Sequence, residues 1–172
     1  MDKERYIQII NENRGIIYKI CFTYCSNPED QKDLQQEILI RLWNGLDRFD
    51  SRAKLSTWIY RVALNTAISY YRIDRKRSRH TSLDSAVIVC SELPEENWEY
   101  LEDLERLYFF IEELKELDKA LILLYLDDIK YSEIAGILGI TETNVATKIN
   151  RIKEKLRKKF GKISKIDEHG TG

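Results

Sequence analysis

The side chains best suited to chemistry lie on one face of a stretch near the carboxyl end, YSEIAGILGITETNVATKINRIKEKLRKK, residues 131–159. At a helical period of about 3.6 residues, Val145, Ile149, Ile152 and Leu156 share a face that belongs in a core. The opposite face carries residue types that hydrogen-bond base edges in a major groove, flanked by lysines placed for phosphates. These residues are Thr143, Thr147, Asn150, Arg151 and Glu154, with Lys148 and Lys155 beside them.

The residues before this face have the layout of a helix-turn-helix. Residues 131–138 are predicted to form a short helix with Ile134 facing inward. Gly139 supplies the turn, where a positive φ is expected, and Thr141 can cap the next helix through its hydroxyl. A solvated polar face on a helical bundle is the alternative. The short helix, turn, cap and basic tail occur together, which favours DNA binding.

A second polar row follows Trp58 in KLSTWIYRVALNTAISYYRIDRKRSR, residues 54–79. The helical period gathers apolar residues, among them Ile59, Ala63 and Leu64, on a broad core face. Trp58 falls opposite that face and is predicted to lie on the outer surface. The polar residues in its row are Arg61, Asn65, Ser69 and Arg72.

A third stretch, KDLQQEILIRLWNGL at residues 32–46, has the anatomy of an interface. Leu34 and its helical neighbours form a core face, whereas Ile40 lies on the polar side with Arg41 and Trp43 at the margins. An aliphatic residue among polar groups, bordered by Arg and Trp, is typical of protein interfaces, although one exposed aliphatic is also ordinary. The polar residues around Ile40 are Asp33, Gln36, Glu37 and Asn44.

The composition indicates a soluble, helix-rich chain with localised charge. Its 172 residues are 33% charged and 43% hydrophobic, with 7 Gly and 2 Pro. Eleven acids lie between Glu92 and Asp118, nine bases lie between Lys148 and Lys165, and a second basic cluster covers residues 72–79. Because the net charge is only −1, two basic patches indicate two contacts with a polyanion.

Neither catalysis nor a cofactor is predicted for this chain. His80 and His169 are its only histidines, and it has no glycine-rich phosphate loop, HExxH motif or zinc-binding cysteine pattern. Cys21 and Cys25 have a spacing that could hold a metal, but buried small hydrophobes are the favoured interpretation. There is no signal-peptide pattern, and the longest apolar run, residues 120–126, is too short to span a bilayer, which favours a cytoplasmic protein.

We predict an all-α protein with two small helical domains joined by a flexible linker. The first domain covers residues 1–79, the linker 80–100, the second domain 101–160 and a frayed tail 161–172. Residues 2–26 read as helical and a second helix runs from Pro28 to about Leu46. The linker also contains a short apolar patch, residues 86–89.

These motifs together resemble bacterial RNA polymerase sigma factors, and specifically the compact extracytoplasmic-function type of the sigma-70 superfamily, which keeps only regions two and four. The resemblance rests on DLQQEILIRLW, FDSRAKLSTWIYRVALNTA and ELDKALILLYLDDIKYSEIAGILGITETNVATKINRIKEKL, and covers about residues 10–160. It implies a factor that binds core RNA polymerase and directs recognition and melting of promoter DNA. It also implies an inhibitory partner, since family members are commonly held by an anti-sigma factor that is often membrane-bound.

The resemblance assigns three sets of residues. The implied core-polymerase-binding set is Asp33, Gln36, Glu37, Ile40, Arg41 and Trp43. The implied −10 recognition and melting set is Lys54, Leu55, Thr57, Trp58, Tyr60, Arg61, Asn65, Ser69 and Arg72. The implied −35 set is Thr143, Thr147, Lys148, Asn150, Arg151 and Lys155. Leu55 stands where many relatives have Phe, so the shape of the flipped-base pocket is not carried over. Thr143-Asn144-Val145 replaces the frequent Gly-Thr-Val, so the promoter sequence read there is not carried over.

An exposed Trp58 could then stack on a base at the junction between duplex and bubble, while residues 72–79 hold phosphates. The alternative is a half-buried Trp58 covered by the preceding loop. Opening roughly ten base pairs costs on the order of 14 kcal/mol, whereas stacking returns roughly 1–3 kcal/mol per base, so melting requires the polymerase. The rival hypothesis is an autonomous helix-turn-helix transcriptional regulator, which would bind its site tightly without polymerase.

Overall fold

Helices account for all the regular structure in the part of the chain that the structure describes, residues 2–51, 53–77 and 107–167. This computed structural model confirms the predicted all-α class. The predicted linker at 80–100, its apolar patch at 86–89 and the end of the basic cluster at 78–79 lie outside the described residues. The chain divides into two compact units, Met1–Glu112 and Glu113–Gly172.

The first unit is built from four helices and a short helical stretch. They are α1 (Lys3–Glu12), α2 (Arg14–Tyr24), α3 (Pro28–Leu46), α4 (Leu55–Arg77) and residues 107–112. Helices α2, α3 and α4 pack on one another, because each presents an apolar face to the other two. Fully buried residues from these three helices form the core, including Ile17, Ile20, Leu34, Ile38, Leu42, Ile59 and Leu64.

The prediction of continuous helix over residues 2–26 is wrong at Asn13. Its backbone has φ −114° and ψ 11°, which separates α1 from α2. The Asn13 amide nitrogen Nδ2 donates to the Ile9 carbonyl at 2.8 Å, so a side chain satisfies a backbone group at the end of α1. Asparagine competes with helical hydrogen bonding in this way, and a wheel of apolar residues does not reveal it.

The start of α3 confirms the predicted cap. The Asn27 side chain accepts a hydrogen bond from the Glu29 backbone N–H at 2.8 Å, and Pro28 occupies the first helical position. Both features satisfy the unpaired donors at a helix amino terminus. The cap therefore fixes where α3 begins.

The second unit contains the predicted helix-turn-helix. Its helices are α5 (Glu116–Leu126), α6 (Tyr131–Leu138) and α7 (Glu142–Asp167). Gly139 adopts φ 68°, and its N–H donates to the Ala135 carbonyl at 2.9 Å. The Thr141 hydroxyl accepts from the Asn144 N–H at 3.3 Å. Both the turn and the cap are confirmed.

Helix α7 continues through Gly161 to Asp167, although residues 161–172 are predicted to be a frayed tail. A single glycine in a helix costs about 1 kcal/mol, and the lysine-rich sequence around Gly161 favours helix. Towards its start, α7 is anchored by Val145, Ile149 and Ile152, which are buried as predicted. The polar face of α7 therefore has a fixed direction within this unit.

Candidate nucleic-acid and protein interfaces

The residues predicted to bind polymerase lie mostly along one groove on α3. Ile40 is 55% exposed, while Leu34 and Ile38 on the opposite face are fully buried. The groove has a volume of about 370 Å³ and runs between α3 and α4. Its lining residues are Asp33, Gln36, Glu37, Ile40 and Arg41 from α3, with Thr66, Ser69 and Tyr70 from α4. The structure thus brings together five of the six predicted residues.

An internal ion pair organises the charges of this groove. Arg41 Nε donates to Glu37 Oε1 at 2.8 Å, one helical turn apart on α3. Both side chains remain about half exposed, so the pair has a small effect on stability and leaves its outer atoms available to a partner. Ile40 lies beside this pair, and a partner that covers the groove would bury an aliphatic side chain next to fixed charges.

Trp43, the sixth predicted residue, lies at a different position on α3 and is held by α1. Its ring meets the Tyr6 ring edge-on, with centroids 4.9 Å apart, and remains 41% exposed. The Tyr6 hydroxyl donates to the Leu39 carbonyl at 2.7 Å. Burial raises the pKa of the Tyr6 phenol, which keeps this donor protonated. Sequence reasoning missed Tyr6, whose contacts are with residues more than thirty positions away.

Trp58 is half-buried, so the prediction of an outer-surface position is wrong and the alternative of cover by the loop holds. The Phe49 ring from the preceding loop lies 5.5 Å from the Trp58 ring, centroid to centroid. A Cβ atom placed on Gly45 of α3 would lie 3.0 Å from Trp58 Cζ2. A helical wheel cannot show this cover, because Phe49 and Gly45 belong to other elements.

The polar residues that follow Trp58 on α4 form an exposed row, as predicted: Arg61, Asn65, Ser69 and Arg72. The Ser69 hydroxyl donates to the Asn65 carbonyl at 2.8 Å, which leaves its oxygen lone pairs outward. Lys54 is exposed, and Leu55 and Thr57 are half-buried. Tyr60 is only 6% exposed and belongs to the core, so the structure does not bring it to this surface.

The polar face of α7 is exposed at most of the predicted positions: Thr143, Thr147, Asn150, Arg151 and Lys155. Lys148 differs, because its Nζ lies 3.9 Å from Asp118 Oδ1 and its side chain is 34% exposed. Arg157 and Lys158 are also exposed and were not among the predicted residues. The continuation of the helical period past Lys155 was the signal that could have found them.

Cys21 and Cys25 are buried, 4% and 7% exposed, which confirms that they act as small hydrophobes. Burial raises the pKa of the Cys21 thiol to about 12. Within the described residues no cluster of three or more His, Cys, Asp or Glu side chains could hold a metal ion. In the same part of the chain, no helix is both long enough and apolar enough to cross a membrane.

Two family models match the sequence. The model for sigma-70 region 2 covers residues 9–77, and the model for sigma-70 region 4 covers residues 104–156. The first match contains α3 and α4, with the groove and the exposed row. The second contains the helix-turn-helix and most of the exposed face of α7.

Characterised relatives are similar over most of the chain. The ECF RNA polymerase sigma factor SigW of Bacillus subtilis is 30% identical over 171 residues, covering 92% of this chain and 90% of that protein. The ECF RNA polymerase sigma-E factor of Escherichia coli K12 is 33% identical over 140 residues, covering 76% of this chain and 73% of that protein.

Solved structures share the fold at low sequence identity. CnrH, solved in complex with the cytosolic domain of CnrY, has a TM-score of 0.67 and 19% identity, covering 93% of this chain and 90% of its own. The sigma factor RpoE, solved in complex with the anti-sigma factor NepR from Bartonella quintana, has a TM-score of 0.62 and 18% identity. The match covers 91% of this chain and 94% of the RpoE chain.

Proposed function

We propose that this chain, which belongs to the extracytoplasmic-function (ECF) family of RNA polymerase sigma factors, binds core polymerase and opens promoter DNA with its first unit and reads the −35 element with its second. As a sigma factor it directs RNA polymerase to promoters. The phosphodiester chemistry belongs to the polymerase, and the chain itself acts without catalysis, in the cytoplasm with that enzyme.

The observation that carries the proposal is the exposed groove on α3. Ile40 lies outside the core, 55% exposed among Asp33, Glu37 and Arg41. The exposed part of this side chain adds nothing to the stability of the isolated protein. A partner that buries this side chain removes apolar area from water, at about 25 cal/mol per Å². The polar rim around Ile40 supplies the charge complementarity that fixes the orientation of the partner. We assign this surface, together with Trp43, to core polymerase.

The exposed row on α4 is assigned to the upstream edge of the melted region. Arg61 and Arg72 supply phosphate contacts, and Asn65 and Ser69 supply hydrogen bonds to the backbone or to bases. Trp58 stands at the first turn of α4, and Phe49 and Gly45 fix its ring. A ring that is already ordered loses little conformational freedom when a base stacks on it.

The exposed face of α7 is assigned to the −35 element. Thr143, Thr147 and Asn150 carry short polar groups that reach base edges in a major groove, and Arg151 can pair bidentately with a guanine. The short helix α6 and the turn at Gly139 give the geometry in which a second helix enters the groove.

An anti-sigma factor is the proposed regulator. Structures with the same fold, CnrH and RpoE, were solved with an anti-sigma factor or a partner's cytosolic domain bound. A partner that covers the groove on α3 would exclude polymerase, since both would bury Ile40.

Transcription from a promoter library with purified core polymerase tests the proposal. We expect new start sites only when the protein is added, and we expect Ile40→Asp to abolish them by weakening the binding of core polymerase. A strong footprint from the protein alone, with no dependence on polymerase, would overturn the proposal in favour of an autonomous regulator.

A further inference from the structure

Two lysines of α7 are paired with carboxylates of the same unit. Lys148 Nζ lies 3.9 Å from Asp118 Oδ1, and Lys159 Nζ forms an ion pair with Glu113 Oε2. The two lysines are eleven positions apart, about three helical turns, and therefore lie on the same flank of α7. Glu113 lies in the stretch that leads into α5, and Asp118 lies in the first turn of that helix. One side of the DNA-reading helix thus faces acidic residues.

The remaining cations on the described part of α7 are placed differently. Lys153 points to the other side, where its Nζ lies 3.0 Å from the Tyr125 hydroxyl and 4.8 Å from the centroid of that ring. Arg151, Lys155, Arg157 and Lys158 are exposed, and so is Lys159 despite its ion pair. Lys148 and Lys159 are therefore the described lysines of this helix that lie beside a carboxylate of the same unit.

Lys148 is the paired residue closest to the base-reading face. It follows Thr147 directly and lies one turn before Arg151, so its ammonium group could reach a phosphate at the edge of the groove. Asp118 is 18% exposed and is fixed in the first turn of α5. A phosphate that approaches Lys148 must compete with this carboxylate and is also repelled by it.

We propose that Asp118 and Glu113 restrain the DNA affinity of α7 by holding Lys148 and Lys159 away from phosphate. This inference rests on the proposed role of α7 as the −35 reader and adds a device that sets how strongly it binds. A lysine whose charge is offset by a neighbouring carboxylate releases fewer condensed counterions from DNA, so it contributes less to the salt-dependent affinity. The free factor thereby avoids occupying DNA at random, and specific contacts decide where it binds.

The size of the effect follows from counterion release. For each phosphate contact, log K for DNA binding falls by about 0.9 when the salt concentration rises tenfold. At roughly 0.15 M salt, one such contact therefore raises the affinity about five-fold. We therefore expect Asp118→Asn to raise the affinity of the chain for duplex DNA, by up to about five-fold, and to steepen the salt slope, by up to about 0.9. The gain should be similar for promoter and unrelated duplex, because a phosphate contact carries no sequence information.

The experiment measures binding of the full chain, without polymerase, to fluorescent −35 and unrelated duplexes between about 0.05 and 0.2 M salt. Asp128→Asn is the matched control: it removes the same charge from an exposed residue of the same unit, and asparagine tolerates its φ of 54°. The double variant Asp118→Asn with Lys148→Gln tests whether the gain needs Lys148. Thermal unfolding of each variant shows whether the fold is kept.

A steeper slope in Asp118→Asn, absent from both Asp128→Asn and the double variant, is the expected result. The same gain in Asp128→Asn, or a gain that persists without Lys148, would show a general effect of net charge and overturn the inference. An unchanged slope in both Asp118→Asn and Glu113→Gln would overturn it as well. Polymerase-dependent transcription by the wild type tests the proposed function separately, so the two can fail independently.

Discussion

Replacing Trp58 with alanine has two separable costs, one in stability and one in promoter opening. Truncating a fully buried Trp costs about 3–5 kcal/mol, and because Trp58 is half-buried we expect about 2 kcal/mol, including about 1 kcal/mol for its pair with Phe49. A domain with about 5–15 kcal/mol of stability remains folded after this loss. Losing a stacked base costs roughly 1–3 kcal/mol, equivalent to about a five- to 150-fold slower opening.

Templates that differ only in whether the duplex must be opened distinguish these costs. We expect holoenzyme with Trp58→Ala to be defective on a duplex promoter and close to wild type on the same promoter with a mismatched, already open −10 region. Ile20→Val is the control for stability alone, since Ile20 is fully buried in α2 and the change costs about 1 kcal/mol. If Trp58→Ala still competes with the wild type for core polymerase, its binding to that enzyme is intact.

Equal defects of Trp58→Ala on the duplex and on the open template would refute the reasoning. So would a loss of activity no larger than that of Ile20→Val after correction for the unfolded fraction. In either case Trp58 would serve only to pack the loop against α3 and α4, and its place in the melting set would fall.

Three further predictions concern the groove, two glycines and a buried thiol. Burying an isoleucine is worth roughly 1.5–3 kcal/mol, so Ile40→Asp should weaken binding to core polymerase by about ten- to 100-fold. The control Ile7→Asp, at a residue of α1 that is 47% exposed, should compete for core polymerase like wild type. Equal losses in the two variants would remove Ile40 from the interface. In urea unfolding, Gly139→Ala should lower the free energy of unfolding by about 1–2 kcal/mol, because the φ at this position is 68°. Gly15→Ala in α2, where the new Cβ meets open space, should raise it by about 0.5 kcal/mol. Shifts of the same sign in the two variants would contradict this. The pKa of Cys21 is about 12 in the folded state, above its ordinary value of 9.0, so the folded state keeps the thiol proton to higher pH than the unfolded state does. The free energy of unfolding should therefore fall as pH rises from 9.0 towards 12. Identical pH dependence in the wild type and a Cys21→Ala variant would contradict that sign.

The helix-turn-helix could be predicted from the sequence because short-range signals define it. Gly139 alone decides the left-handed turn, the Thr141 hydroxyl reaches an N–H three residues later, and apolar spacing sets the core side of α7. The exposed Ile40 was predictable for the same reason. The family resemblance, which rests on these motifs, is confirmed by relatives that match over most of the chain.

The environments of particular side chains could not be predicted, because they depend on residues distant along the chain. Trp58 is covered by Phe49 from a loop, which a wheel drawn for α4 does not contain. Lys148 meets Asp118 from another helix, thirty positions earlier, so a lysine that looked available to phosphate is paired. The break at Asn13 had a local cause, but a side-chain hydrogen bond to Ile9 leaves no mark on hydrophobic periodicity.

The close approach of Gly45 to Trp58 makes these two positions interdependent during evolution. An alanine at position 45 would place its Cβ 3.0 Å from Trp58 Cζ2 and 3.5 Å from Cη2, so the ring would have to shift by a few tenths of an ångström. A larger residue at 45 would require a smaller side chain at 58. Among sequences that keep this packing of α3 on α4, we expect glycine at the first position to accompany tryptophan at the second, and the pair to change together.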